Sequence, residues 1–328
     1  MRSHCFNRVY ASIQRQWYHK LTWLILLIPL EVLFRCCTSI RRYVYRFFAY
    51  PLSLIPIWIV GDITVGGSGK SPFLIWLSSL AAKQGVQCVI IGHAYKSNIL
   101  SPQICTEDSD PVLCGDEAVM MAQLTGLPVV VAPSRYQALL YIEAQFPSVD
   151  LILCDDGLQD YRLRRSKEIV VYNPDRIGNG YCFPVGPLRE QLKRLNQVDL
   201  CVRHAPKNSD SDMLLTPQYL RRLSDGRVFP VTHFMNQTVH AVSAIADNNR
   251  FFKQLEKLDF NIIPHGFMDH HVFVETDLLF GDGYPVVITE KDAVKCRGFK
   301  KVSIYALHVE LYVNKVTQST ITNWIKQL

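Results

Sequence analysis

The residues with the most chemical content lie in Gly61-Asp62-Ile63-Thr64-Val65-Gly66-Gly67-Ser68-Gly69-Lys70-Ser71. A β-branched run, Ile57 to Val60, precedes this glycine-rich stretch, and the apolar segment Pro72 to Leu80 follows it. That order is strand, loop and helix, the arrangement in which successive backbone N–H groups and a helix N-terminus surround phosphate oxygens. In such loops the lysine, here Lys70, reaches the outer phosphates, and the following hydroxyl, here Ser71, ligates magnesium. The strict pattern asks for glycine at position 64, where this chain has Thr64. Gly66 and Gly67 supply the backbone freedom instead. Thr64, Val65, Gly66, Gly67, Ser68, Gly69, Lys70 and Ser71 are therefore the expected nucleotide-binding residues.

Further along, Leu151-Ile152-Leu153-Cys154 ends in Asp155-Asp156. An apolar strand ending in carboxylates is how a second loop helps hold magnesium beside a phosphate loop, although Asp-Asp-Gly also makes a good turn. Other polar groups are less specific. Arg189 and Glu190 in Gly186-Pro187-Leu188-Arg189-Glu190 read, from spacing alone, as a solvated surface pair. Asp116 in Gly115-Asp116-Glu117 reads as a helix N-cap. Met268-Asp269-His270-His271 suits metal binding, base catalysis or loop hydrogen bonding, but has no nearby cysteine to complete a zinc set. Thr289-Glu290-Lys291-Asp292-Ala293-Val294-Lys295 is explained by helix capping.

The elements that must position these groups alternate. Val86–Ile91, Leu127–Val131, Leu151–Cys154 and Glu168–Tyr172 are short, nearly continuous apolar runs, as parallel strands covered on both faces should be. Helical stretches near 116–124 and 136–143 separate them, which predicts an α/β doubly wound domain with ligands outside the carboxyl ends of the strands. The polar stretch at 205–225 marks a junction. Beyond it, strands near 239–243, 260–263, 286–289 and 302–306 and helices near 250–257 and 317–326 form a smaller α/β unit. The expected division is 1–48, an N-terminal amphipathic, membrane-associated segment; 49–225, the phosphate-loop domain; and 226–328, the smaller domain.

Charge separates along the chain. Of 328 residues with a net charge of +6, the first fifty carry eight basic side chains against Glu31 alone, a net of +7. The rest holds 27 basic and 28 acidic residues, a net of −1. A folded body without a basic excess argues against a nucleic-acid partner. Basic residues beside the apolar run Leu21 to Phe34 point to an anionic membrane surface. The uncharged run is shorter than the roughly 20 residues of a normal span, so an amphipathic helix lying in the interface, with Trp17, Tyr18 and Trp23 at the boundary, fits better. Packing on the protein core is the alternative. The ten cysteines form no C-x-x-C pair and read as scattered buried thiols of a reducing compartment.

Taken in order, the Gly61–Ser71 loop, Gly115-Asp116-Glu117, Asp155-Asp156-Gly157-Leu158-Gln159, Gly178-Asn179-Gly180 with Gly186–Glu190, Asp269-His270-His271 and Thr289–Lys295 resemble the tetraacyldisaccharide 4′-kinase family of lipid A biosynthesis. The resemblance runs from residue 61 to 295. It implies a two-domain kinase at the cytoplasmic face of the inner membrane, held there peripherally or monotopically by the N-terminal helix. It would transfer the ATP γ-phosphoryl group to the 4′-hydroxyl of tetraacyldisaccharide 1-phosphate, giving lipid IV-A. It implies ATP and Mg2+ as partners of Lys70 and Ser71, with Asp116 as base assisted by His270. Asp155, Asp156 and Glu190 would organise the metal, and Arg189 and Asn179 would lie at the substrate. The chain departs from the family pattern at Leu158 and Asp160, at Gly92-His93-Ala94-Tyr95-Lys96, and at Ser243–Asp247. The competing reading is a nucleotide-dependent switch or assembly ATPase or GTPase at a membrane, which would leave its phosphate on water.

Overall fold

The computed structural model describes residues 16–18, 23–93, 99–205 and 211–328. Arg2, Arg8, Arg15 and Lys20 of the basic N-terminus, Leu21 at the start of the apolar run, Cys5 and the Ala94–Lys96 departures lie outside the described residues. In chain order the first elements are helix α1 (Ile28–Phe47), strand β1 (Ile57–Gly61), helix α2 (Lys70–Lys83), β2 (Cys88–Ile91) and β3 (Gln103–Cys105). Next come α3 (Pro111–Cys114), α4 (Asp116–Thr125), β4 (Val129–Val131), α5 (Arg135–Gln145), β5 (Leu151–Asp155), β6 (Lys167–Tyr172) and β7 (Leu200–Arg203). The remainder is β8 (Met213–Arg222), β9 (Val228–Pro230), β10 (Thr238–Ser243), α6 (Asn248–Glu256), β11 (Asn261–Gly266), β12 (Val286–Thr289), α7 (Glu290–Ala293), β13 (Ile304–Val313) and α8 (Lys315–Ile325).

These elements form two compact units, each drawn from separated segments. The first comprises 1–88, 142–214 and 313–328; the second comprises 89–141 and 215–312. In the first, β5, β1, β6 and β7 lie side by side and parallel. β1 and β5 are buried along their whole length, which is why their sequences are continuously apolar rather than alternating. The C-terminal helix α8 belongs to this unit, where Trp324 meets Trp58 edge to face at 5.8 Å.

In the second unit β2 pairs parallel to β4, and β3 runs antiparallel on the other side of β4. A six-stranded sheet follows the order β11-β10-β12-β13-β8-β9. Alternation along its strands sorts side chains to two faces. Val239, Ala241, Val287, Tyr305 and Leu307 join Phe251 and Leu255 of α6 in one core. Val242, Val286, Ile288, Ile304 and Ala306 join Phe273 and Ala293 in the other.

Two expectations change. The polar stretch at 205–225 contains the ten-residue strand β8. Thr216 and Gln218 are exposed in alternation with less exposed neighbours, and with the arginines at the end they give the stretch its polar composition. The N-terminal apolar run also extends further than its uncharged core. A 3-10 turn, Trp23–Leu27, leads into the 20-residue α1, and Trp23–Tyr45 is long and apolar enough to cross a membrane by length and composition.

Leu26, Leu30, Leu33, Ile40, Val44 and Phe47 are exposed along this segment. Their spacing of three, four and seven residues puts them on one stripe. The opposite side is held. Leu24 packs with Trp17 and Val185, and the buried Glu31 accepts a hydrogen bond from the Cys182 N–H at 3.2 Å. Trp17 is not a boundary aromatic: it is 1% exposed, and its indole N–H donates to the Pro184 carbonyl at 3.0 Å. The cysteines also divide, with Cys36 and Cys37 exposed on α1 and Cys88, Cys105, Cys114, Cys154, Cys182 and Cys296 buried.

Candidate functional site

In the first unit the glycine-rich loop leaves the end of β1, and Lys70 and Ser71 open α2. Gly61 is required by close approach, because a Cβ there would lie 2.5 Å from Leu158 Cβ in the Asp-Asp-Gly turn. Thr64 explains its own presence at the glycine position. Its N–H donates to Asp62 Oδ1 at 2.8 Å, and its hydroxyl lies 3.0 Å from both Asp62 oxygens. Asp62 is fully buried, so these bonds supply what water would otherwise provide. The loop is stitched to Gly186–Glu190 by backbone bonds, Val65 N–H to Pro187 O at 2.8 Å and Arg189 N–H to Ile63 O at 2.7 Å.

Lys70 Nζ lies 3.5 Å from Asp156 Oδ1 and 3.8 Å from Asp62 Oδ2. Burial works against its charged amine, yet Asp156 and Asp62 hold its pKa above the ordinary lysine value. Arg189 Nη1 donates to both Asp156 oxygens, at 3.1 and 2.9 Å. Asp156 adopts a left-handed backbone, φ 47°, a strained conformation for a non-glycine residue. The Arg176 guanidinium lies against Gly66, a cation beside the loop that no sequence motif flagged.

The solvated-pair reading of Arg189 and Glu190 does not hold. Glu190 is 6% exposed, accepts from Gln159 Nε2 at 3.0 Å and lies 3.4 Å from Arg194 Nε. Asn179 spends its amide within its own loop, donating to Val185 O at 2.8 Å and accepting from Tyr181 N–H at 3.2 Å.

Both expected ligands can be tested against these residues. The Ser68 hydroxyl is fully buried with no hydrogen-bond partner among the described residues, which suits a loop that receives phosphate oxygens. Ser71, Asp155 and Asp156 offer hard oxygen donors of the kind Mg2+ takes. Among the described residues no group of three or more His, Cys, Asp or Glu forms a ready cage. Mg2+ is ordinarily held by one or two carboxylates together with waters and substrate phosphates, and the residues fit that mode.

The second unit carries a different cluster. Asp116 is not an N-cap but the first residue of α4, with Gly115 at the cap. Its oxygens lie 3.0 Å from His270 Nδ1. A carboxylate only accepts, so Nδ1 is the donor. His270, like Asp156, has a left-handed backbone, φ 64°. Lys291 and Lys295, assigned from sequence to a capped helix, approach Asp116 Oδ2 at 3.9 and 3.8 Å.

Capping accounts for only part of the Thr289–Lys295 motif. The Thr289 side chain accepts from the Asp292 N–H. The fully buried Asp292 also accepts from Ala244 N–H at 3.0 Å and pairs with Lys295 at 2.7 Å. Lys291 bridges Glu117 at 2.9 Å and Asp269 at 3.3 Å. Burial pushes the Asp116 carboxyl up, but His270, Lys291 and Lys295 outweigh it and hold its pKa below the usual carboxylate value. Asp116 is therefore ionised at neutral pH. His271, the other histidine of the pair, holds its loop by contact with Asp277 at 3.0 Å.

Known proteins share this chain's sequence and fold. The Tetraacyldisaccharide-1-P 4′-kinase (LpxK) family profile matches residues 23–326. The tetraacyldisaccharide 4′-kinase of Nitrosococcus oceani is 40% identical over 298 residues, covering 89% of this chain and 88% of that one. The protein of the same name from Hahella chejuensis is 36% identical over 330 residues, 97% of each. The solved structure of LpxK from Aquifex aeolicus in complex with ATP matches with a TM-score of 0.78 at 24% identity, over 93% of this chain and 99% of that one. With relatives this similar along nearly the whole sequence, the chain belongs to the tetraacyldisaccharide-1-P 4′-kinase family.

Proposed function

We infer that this kinase transfers the γ-phosphoryl group of ATP to the 4′-hydroxyl of tetraacyldisaccharide 1-phosphate, giving lipid IV-A. The observation that carries the reading to the residues is the Asp116–His270 pair, an ionised carboxylate oriented by a histidine. A sugar hydroxyl is a poor nucleophile, and a carboxylate positioned to accept its proton supplies general-base catalysis. In this reading the acceptor proton passes to an Asp116 oxygen as the new O–P bond forms and the bond to ADP breaks. The His270 Nδ1–H holds the carboxylate's orientation throughout.

On the donor side Thr64 to Ser71 receive the ATP phosphates, with Lys70 at the outer ones. Arg189 offers a second cation to developing charge. Ser71, Asp155 and Asp156 would hold Mg2+, which when bound neutralises charge on the β- and γ-oxygens. Glu190 acts one step back, fixing Gln159 and Arg194 around the site, and Asn179 shapes the loop that leads to Arg189.

The exposed stripe of α1 supports a helix lying in the anionic cytoplasmic face of the inner membrane. Leu30→Glu with Leu33→Glu should move the protein from the membrane to the soluble fraction. The central experiment is mass spectrometry of the lipid disaccharide 1-phosphate incubated with protein, ATP and Mg2+. A mass gain of one phosphate is expected, whereas ATP hydrolysis indifferent to the lipid would reject the proposal.

A further inference from the structure

His204 lies just beyond β7, where its N–H donates to the Tyr172 carbonyl at 2.9 Å. Its ring is 3% exposed, and Nδ1 is 3.0 Å from the carbonyl oxygen of Ser68. A carbonyl can only accept, so Nδ1 carries the proton in this contact. The same ring and Met213 back the next residue of the loop. A Cβ on Gly69 would lie 2.8 Å from Met213 Cε and 3.2 Å from His204 Nδ1. Gly69 also has φ 103°, the left-handed region that favours glycine.

The peptide between Ser68 and Gly69 is a rigid plane whose C=O and N–H point in opposite directions when trans. Drawing the Ser68 carbonyl onto His204 therefore turns the Gly69 N–H away from it. Gly69 is the N-cap of α2 with no side-chain cap, at the helix end where backbone N–H groups lack intrahelical partners and attract anions.

We propose that His204 is a positioning residue for the nucleotide: through its Nδ1–H bond to Ser68 it fixes the Ser68–Gly69 peptide so that the Gly69 N–H is presented to the phosphates of ATP. This role rests on the reading of the loop as the ATP site. The histidine touches neither nucleotide nor acceptor and acts only through the peptide. A released peptide can rotate, and the loop then spends part of its binding energy on re-ordering it.

The test uses the full chain with His204→Phe, which keeps a ring but removes the donor, and His204→Asn, whose amide N–H replaces it. His204→Phe should raise the KM for ATP and weaken ATP and ADP binding by about tenfold, the scale of one lost buried hydrogen bond. The KM for the lipid acceptor and kcat at saturating ATP should stay close to wild type, and His204→Asn should recover most of the lost affinity. Unchanged ATP affinity in His204→Phe, or equal losses toward both substrates and in kcat, would overturn the proposal. If thermal melting shows that the phenylalanine does not fold, His204→Ala takes its place with the same expectations. A wild-type protein that binds neither ATP nor ADP would instead remove the underlying nucleotide reading.

Discussion

The phosphate loop of the first unit and the Asp116 cluster of the second are both charged and buried, yet they are made differently. The loop is a local object. Fifteen consecutive residues supply strand, turn and helix end. The Asp116 cluster is assembled from afar. Asp116 and His270 are 154 residues apart, and the lysines come from a third segment. In the loop, the cations Lys70 and Arg189 are balanced by Asp62 and Asp156. Around Asp116, cations surround an anion that must stay ionised. A donor site can thus be specified by a short motif, whereas a base whose pKa must be tuned needs partners from several elements.

That contrast can be broken most directly by removing one charge from each cluster. Asp116→Asn should lower kcat by about 10²–10⁴-fold, the usual worth of a general base, and leave ATP affinity intact in an equilibrium titration. Lys70→Met should weaken ATP binding as well as turnover. If Asp116→Asn lost ATP affinity to the same degree, the division of labour between the clusters would be wrong.

A smaller effect is expected from Thr64→Gly, which restores the glycine of the strict loop pattern. It strips the buried Asp62 of the hydroxyl contacts to both of its carboxylate oxygens, while the backbone N–H to Oδ1 stays available. Chemical denaturation should show a loss of about 1–2 kcal/mol, and ATP titration a weaker site. A Thr64→Gly protein that binds ATP more tightly would mean that the motif glycine, not the Asp62 anchor, is what this loop lacks.

The smallest effect on turnover is expected from Lys295→Met, which also strips the buried Asp292 of an ion-pair partner. Lys295 lowers the Asp116 pKa, so its removal raises it, and the acid limb of the pH–kcat profile should move to higher pH. The same depressed pKa also bears on stability. Because the folded value lies below the unfolded one, Asp116 contributes stability above its unfolded pKa and loses it as pH falls through the folded pKa. Thermal melting of wild type should therefore weaken below about pH 4, and the loss in Lys295→Met should begin at higher pH. An acid limb that does not move would show that His270 and Lys291 alone set the carboxylate.

The same contrast explains what the sequence discloses. The α/β class, the loop, the Asp-Asp strand end and most strands follow from apolar runs and punctuation, because parallel strands buried on both faces must be written that way. The β8 strand was hidden because its polar residues alternate on a half-exposed ladder. Glu190 looked like surface charge because nothing local reveals that Arg194 covers it, and Lys295 looked like part of a capped helix because nothing local reveals Asp116 beside it. Arg176 and His204 carried no motif at all. Their roles come from where the loop folds back, and no spacing rule reports that.

One feature of the architecture bears on how the protein is made. The first unit needs residues 313–328 as well as 1–88, so the Trp58–Trp324 contact cannot form until the last turn of α8 has left the ribosome. At about 5–20 residues per second, the apolar α1 is available for tens of seconds before the unit it belongs to can close. A nascent chain therefore exposes α1 as a bare apolar helix first, and the Trp58–Trp324 contact follows once α8 has been made.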